Sequence, residues 1–178
     1  MTDFERRGMP VEIRAKGRRL EGYAATFGTP ADIGGRFTET IAAGAFSGAL
    51  RSNGDVLALV DHDPSRVLAR TRSRTLRLAE DSRGLAFDLD LPDTQAGKDV
   101  LALAERGDLG GMSFAFTPLD EKMDGNRREL RAVQLHEISV VLAWPAYGGT
   151  VINLRSLSSS SPFRAYSERA LRLLELSK

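Results

Sequence analysis

Cysteine is absent from the chain, which excludes disulfides and thiolate metal sites and permits a reducing interior. Histidine is nearly as scarce. His62 and His136 are the only two, and with no cysteine a zinc hydrolase is a weak prospect. Asp61 and Asp63 flank His62, but strand alternation sends both away from it. Lysine is confined to Lys16, Lys98, Lys122 and Lys178, so arginine carries most of the 25 basic charges set against 24 acidic ones. A net charge of +1 supplies no field for nucleic acid or a membrane surface, and neither partner is expected. No apolar run approaches a membrane span, and Met1 to Pro10 lacks the apolar centre of a secretory signal. The glycines at Gly107, Gly110 and Gly111 fit neither a Walker loop nor a dinucleotide fingerprint, so no cofactor is expected. What remains is a cytoplasmic globular chain.

A length of 178 residues fits one domain with an appendage. Strands are predicted over Val11 to Lys16, Leu20 to Phe27, Val56 to Val60, Val67 to Thr71, Thr75 to Ala79, Leu85 to Leu91 and Thr150 to Leu154. Two longer ones follow, around Ser113 and over Glu129 to Leu142, joined by a hairpin turn at Asp124-Gly125-Asn126. Thr29 to Arg36 reads as a loop. Spacings of four, one and four in Ile41, Ala45, Phe46 and Leu50 predict a short amphipathic helix. Ala96 to Arg106 is the clearest helix, with Gly107 just past its end. The fold class is α+β and mainly β: a mostly antiparallel barrel or strongly curved sheet dressed by a few helices. Residues 1–155 form the domain. Ser156 to Pro162 is a serine-rich linker, and Phe163 to Lys178 a C-terminal amphipathic helix.

Function gathers around Gly110-Gly111-Met112-Ser113-Phe114-Ala115-Phe116. On a strand, Met112, Phe114 and Phe116 share a bulky face, while Gly111, Ser113 and Ala115 share a small one. Another group can therefore approach Ser113 closely, and the glycines let backbone come near a ligand. A serine on a strand is by itself ordinary. The same holds for His62, which ends an apolar strand on the face of Val56, Ala58 and Val60 and reads most simply as a satisfied core histidine. Glu137 is less ordinary. Alternation places it with Val133, Leu135, Ser139 and Val141, where a carboxylate needs a cationic or N–H-bearing partner. His136 then points the other way, with Gln134 and Ile138.

A serine, a histidine and a carboxylate on separate strands are the parts of an acyl-transfer site. Their order, His62, Ser113, Glu137, matches none of the familiar hydrolases, and no G-x-S-x-G elbow is present.

Several segments, in order, resemble the prohead (capsid maturation) proteases of tailed bacteriophages, relatives of the herpesvirus assemblin serine proteases. They are Gly22-Tyr23-Ala24 with Phe27, Gly44-Ala45-Phe46, His62-Asp63, Gly111 to Phe116, Leu135 to Val141 and Pro145-Ala146-Tyr147. The resemblance implies an assemblin-like β-barrel, a nucleophile at Ser113 and its base at His62. It places Glu137 as third member. His136 is the runner-up, because the herpesvirus relatives use a second histidine. It further implies a serine endopeptidase that cleaves capsid or scaffold protein inside the procapsid, in the bacterial host cytoplasm, and cuts itself. The implied partners are the major capsid protein or its scaffold segment and the procapsid shell, with a homodimer as in the herpesvirus relatives. A non-catalytic, scaffold-like assembly factor of the same fold is the alternative. An esterase or amidase of small molecules ranks last.

Overall fold

The computed structural model describes residues 4–9, 13–52 and 54–143. A long hairpin is its spine. β10 (Gly111–Asp124) and β11 (Arg127–Val141) pair antiparallel along their whole lengths. β1 (Glu5–Met9) pairs antiparallel with the free edge of β10. The outer edge of β11 is shared. Its first part pairs parallel with β5 (Phe37–Ile41) and its last part with β6 (Leu57–Val60). β4 (Ala31–Ile33) extends the sheet beyond β5, and β7 (Asp63–Arg70) beyond β6. A second sheet of four strands has the order β2 (Ile13–Lys16), β3 (Arg19–Thr26), β9 (Gly84–Asp90), β8 (Leu76–Glu80).

The mainly β reading holds, but among the described residues no closed barrel forms. The seven-stranded sheet runs open from β1 to β4. Between the sheets lies one apolar core. Phe114 meets Phe46 edge-on at 5.6 Å and stacks on Phe116 at 5.2 Å, geometries that aromatic quadrupoles favour. Met112, Ile138, Val140, Ala58 and Val60 complete the same layer, all buried. Helix α2 (Gln95–Arg106) is capped by Thr94, whose hydroxyl accepts the Gly97 N–H at 3.3 Å, and ends at Gly107. Both helix ends therefore lie close to the sequence expectation.

Other elements differ from it. The predicted helix from Ile41 to Leu50 is shorter and later: Phe37–Ile41 is strand, and α1 covers only Ser47–Arg51. Within the presumed loop, Ala31–Ile33 pairs with β5. The N-terminal segment, read only as lacking a signal, supplies β1. Its polar sequence, Glu-Arg-Arg-Gly-Met, has no apolar alternation to betray a strand. It is extended because β10 offers it an unpaired row of backbone groups. The break at Trp144 to Gly149, the strand at Thr150 to Leu154, the linker and the C-terminal helix lie outside the described residues.

Candidate active site

The site face of β11 is set by one irregularity. Ala115 pairs with Glu137, yet Phe116 pairs with Leu135, so His136 is an extra residue opposite β10. Such a bulge interrupts alternation. Val133 and Leu135 consequently join the core with Phe116, as do Ile138 and Val140 beyond the bulge. Glu137 and Ser139 lie on the opposite face, across from Ala115 and Ser113 respectively. The expectation that Glu137 shares a face with Val133 and Leu135 is thus corrected: unbroken alternation does not hold through His136.

A second irregularity places His62. Val60 pairs with Asp63, leaving Asp61 and His62 as a two-residue turn between β6 and β7, at φ of 50° and 61°. Both residues positive in φ is the signature of a tight hairpin whose twist matches its strands, though each costs about 1–3 kcal/mol outside glycine. The surroundings hold the turn. Asp61 N–H donates to the Val140 carbonyl at 3.0 Å, and its carboxylate accepts the Leu142 N–H at 3.0 Å. His62 therefore leaves the face of Ala58 and Val60, where alternation had put it. Its Nδ1 is hydrogen-bonded to Glu137 Oε1, and its backbone N–H donates to Ser139 Oγ at 3.2 Å. A carboxylate only accepts, so Nδ1 carries the hydrogen, and in the neutral imidazole Nε2 is then the nitrogen with the lone pair. The other Glu137 oxygen, Oε2, accepts from Ser139 Oγ at 2.6 Å. Glu137 is buried, and the partner its carboxylate required is His62.

Ser113 is fully buried in β10 between Gly8 of β1 and Ser139 of β11. Its hydroxyl donates to the Arg7 carbonyl at 2.9 Å. The structure thus brings His62 and Glu137 into direct contact and sets Ser113 on the adjacent strand, facing the serine that bridges them. Gly110 has a different task from the one expected. A Cβ there would fall 1.3 Å from the Ala143 carbonyl oxygen, so the close approach is to the protein's own backbone. Gly111, at φ 146°, starts the strand in a conformation other residues rarely adopt.

His136, the runner-up, is elsewhere. Its Nε2 is hydrogen-bonded to Thr117 Oγ1 at 2.8 Å, and its ring lies 5.4 Å from that of Phe4. Thr117 is four residues along β10 from Ser113, about 13 Å at strand rise. A recess of about 410 Å³ with Arg14, Tyr23 and Arg83 in its wall lies on the four-stranded sheet, and none of the site residues lines it.

Sequence reasoning missed Arg7 and Ser139. Nothing in the sequence marks Arg7. Its side chain pairs with Glu39 through Nε at 2.6 Å, and Arg128 Nη1 reaches Glu39 at 3.0 Å and Glu5 at 2.7 Å. Burial opposes the charge on Arg7, but Glu39 and Glu5 outweigh it and hold its pKa above the ordinary value. The hydrogen bond from Arg128, aided by Arg7, holds the Glu5 carboxyl below its usual range against partial burial. The network clamps β1 to β5 and β11, and so fixes the carbonyl that receives the Ser113 hydroxyl. Ser139 did have a signal, its spacing of two from Glu137, which on a strand means a shared face.

A carboxylate on histidine Nδ1, with a buried serine on the next strand, brings together the residue types that nucleophilic acyl transfer uses. The chain belongs to the caudovirus prohead serine protease family, whose sequence pattern it matches over residues 8–163. Among solved structures, the bacteriophage T4 capsid assembly protease has a similar fold, with TM-score 0.54 and 13% identity. The similarity covers 80% of this chain and 96% of that one. A curated relative, the alpha-1,4-glucan:maltose-1-phosphate maltosyltransferase of Burkholderia pseudomallei (strain K96243), is 32% identical over 133 residues. Those residues are 74% of this chain but only 11% of that protein. The chain spans about a tenth of that relative's length.

Proposed function

We propose that the chain is a serine endopeptidase in which Ser113 is the nucleophile, His62 the general base and Glu137 the group that orients and stabilises the imidazolium. Capsid or scaffold protein is the substrate, cleaved inside the procapsid in the bacterial host, and the protease cuts itself there. The family membership supports the peptidase class. The observation that carries the residue assignment is the hydrogen bond between Glu137 and His62 Nδ1. It leaves Nε2 as the nitrogen able to take a proton. In the reaction, the Ser113 hydroxyl turns from the Arg7 carbonyl to Nε2. The Ser113 oxygen then attacks the scissile carbonyl as its proton passes to His62. The imidazolium returns that proton to the leaving amine, and water releases the acyl group by the same route.

Co-expression with the major capsid protein tests this. Ser113→Ala removes one hydroxyl from a small-residue face, so the fold should survive while cleavage stops. Intact-mass measurement of both chains should show unprocessed capsid protein. Normal processing by that variant would remove Ser113 from the mechanism.

One observation favours the non-catalytic, scaffold-like alternative: the Ser113 hydroxyl is buried and engaged with backbone. Labelling by a serine-directed fluorophosphonate, lost in His62→Ala, separates an activated serine from a merely buried one.

A further inference from the structure

Ser139 is a fully buried serine at the centre of the site, and the three-residue assignment gives it no task. A strand serine on a small-residue face needs no explanation by itself, since alanine would fill the space as well. Its hydrogen bonds set it apart. A hydroxyl has one hydrogen and two lone pairs. The carboxylate and the amide it meets leave one way to arrange them. The hydrogen goes to Glu137 Oε2 at 2.6 Å, and a lone pair takes the His62 N–H at 3.2 Å.

Both halves matter. The terminal torsion of glutamate is soft, so a carboxylate held only through Oε1 can swing about its axis. With Oε2 also held, its plane is defined, and with it the direction in which Nδ1 must point. The backbone N–H of His62 belongs to a turn in the left-handed region, and Ser139 supplies an acceptor inside that turn. One hydroxyl therefore ties the carboxylate to the main chain of the residue it orients.

We propose that Ser139 is a positioning residue, whose hydroxyl holds the Glu137 carboxylate and the His62 turn in the one geometry that presents Nε2 to Ser113. The proposal rests on the assignment of Ser113, His62 and Glu137 above. It also says why two serines face each other across β10 and β11. Ser113 is the one to be activated. The hydroxyl proton of Ser139 is committed to Glu137, and its oxygen faces the main chain of His62.

The test uses the full chain in four forms: wild type, Ser139→Ala, Ser139→Thr and Ser113→Ala. Two readouts are followed, the rate of fluorophosphonate labelling with the labelled residue mapped by mass spectrometry, and the low-field proton resonance of His62 Nδ1. Displacing a base by about 1 Å can lower a rate on the order of 10²-fold. Ser139→Ala should slow labelling of Ser113 by that order and shift or broaden the Nδ1 resonance. Ser139→Thr, which keeps the hydroxyl, should restore both. Ser139→Cys keeps the volume but has only a weak donor, and takes the place of Ser139→Ala if that variant loses its cooperative thermal transition.

Wild-type labelling rate together with an unmoved resonance in Ser139→Ala would overturn the proposal, as would a label mapped to Ser139. If the wild type is not labelled at Ser113 at all, the assignment of Ser113 as the activated nucleophile fails. The Nδ1 resonance then still decides whether Ser139 positions His62.

Discussion

Two buried glutamates lie in the seven-stranded sheet, Glu39 on β5 and Glu137 on β11, and they are compensated in opposite ways. Glu39, 3% exposed, is met by two guanidinium groups, Arg7 and Arg128. Glu137, 6% exposed, is met by an imidazole and a hydroxyl. The first carboxylate is neutralised by partners that carry their charge at every accessible pH. Its burial is settled, and its result is mechanical: β1, β5 and β11 are held together. The second is met by a hydroxyl, which carries no charge, and an imidazole, which can gain or lose a proton. An imidazolium formed at His62 therefore finds its counter-charge already waiting. Equal burial can thus serve cohesion or chemistry, depending on whether the partner can change its charge.

The largest effect should come from Glu137→Gln, which keeps the shape but removes the counter-charge and turns one of two accepting oxygens into a donor. A loss on the order of 10³–10⁴ in turnover is expected, with a melting temperature close to wild type. A variant with full activity would put Glu137 in the same class as Glu39.

Next is Arg128→Ala. Removing one member of a buried ion-pair group leaves a carboxylate uncompensated, which typically costs about 3–5 kcal/mol. Glu39, Glu5 and Glu121 all lose a partner. Chemical denaturation should show the loss as a lower midpoint. Any residual activity at low temperature should depend on how far β1 stays paired with β10. An unchanged midpoint would mean that the network contributes no cohesion.

A smaller effect concerns acid. The folded-state pKa of Glu5 is depressed, by Arg128 first and Arg7 next. The sign follows directly. Its stabilisation is complete above the ordinary glutamate value of about 4.3, and fades as pH falls through the depressed value. Melting temperatures from pH 7 to pH 3 should therefore fall on the acid side, and Glu5→Gln should flatten that fall. Identical acid limbs in the two proteins would contradict it.

The smallest is His136→Ala. It removes a hydrogen bond to Thr117 and a ring contact with Phe4, for a stability loss of about 0.5–1.5 kcal/mol. Cleavage should proceed at close to the wild-type rate. Loss of cleavage in a stably folded variant would reopen the choice between the two adjacent residues.

Much of this architecture is legible from local pattern. The run Val56 to Val60, the alternating Leu85 to Leu91, and the hairpin turn before β11 all appear close to where periodicity and turn residues put them. So does the bulky face of Met112, Phe114 and Phe116. Less legible are β1, whose side chains show no two-residue period, and β4, whose three residues are too few to establish one. Their extended form comes from pairing with strands distant in sequence, and propensity cannot register that.

For the site, residue types alone determined that Glu137 needed a donor, since a buried carboxylate without one is too costly. They also determined that Ser113 stood on a face of small side chains, since its neighbours are glycine and alanine, although the structure buries that serine fully. The direction of each side chain was decided only by the tertiary structure. Alternation placed His62 with Val60 and Glu137 with Leu135, and both placements fail at irregularities of one or two residues, the Asp61–His62 turn and the bulge at His136. Neither irregularity has a local cause that a sequence displays. Each is held by partners far along the chain: Val140 and Leu142 for the turn, and for the bulge the register imposed by β10, with His136 tied to Thr117.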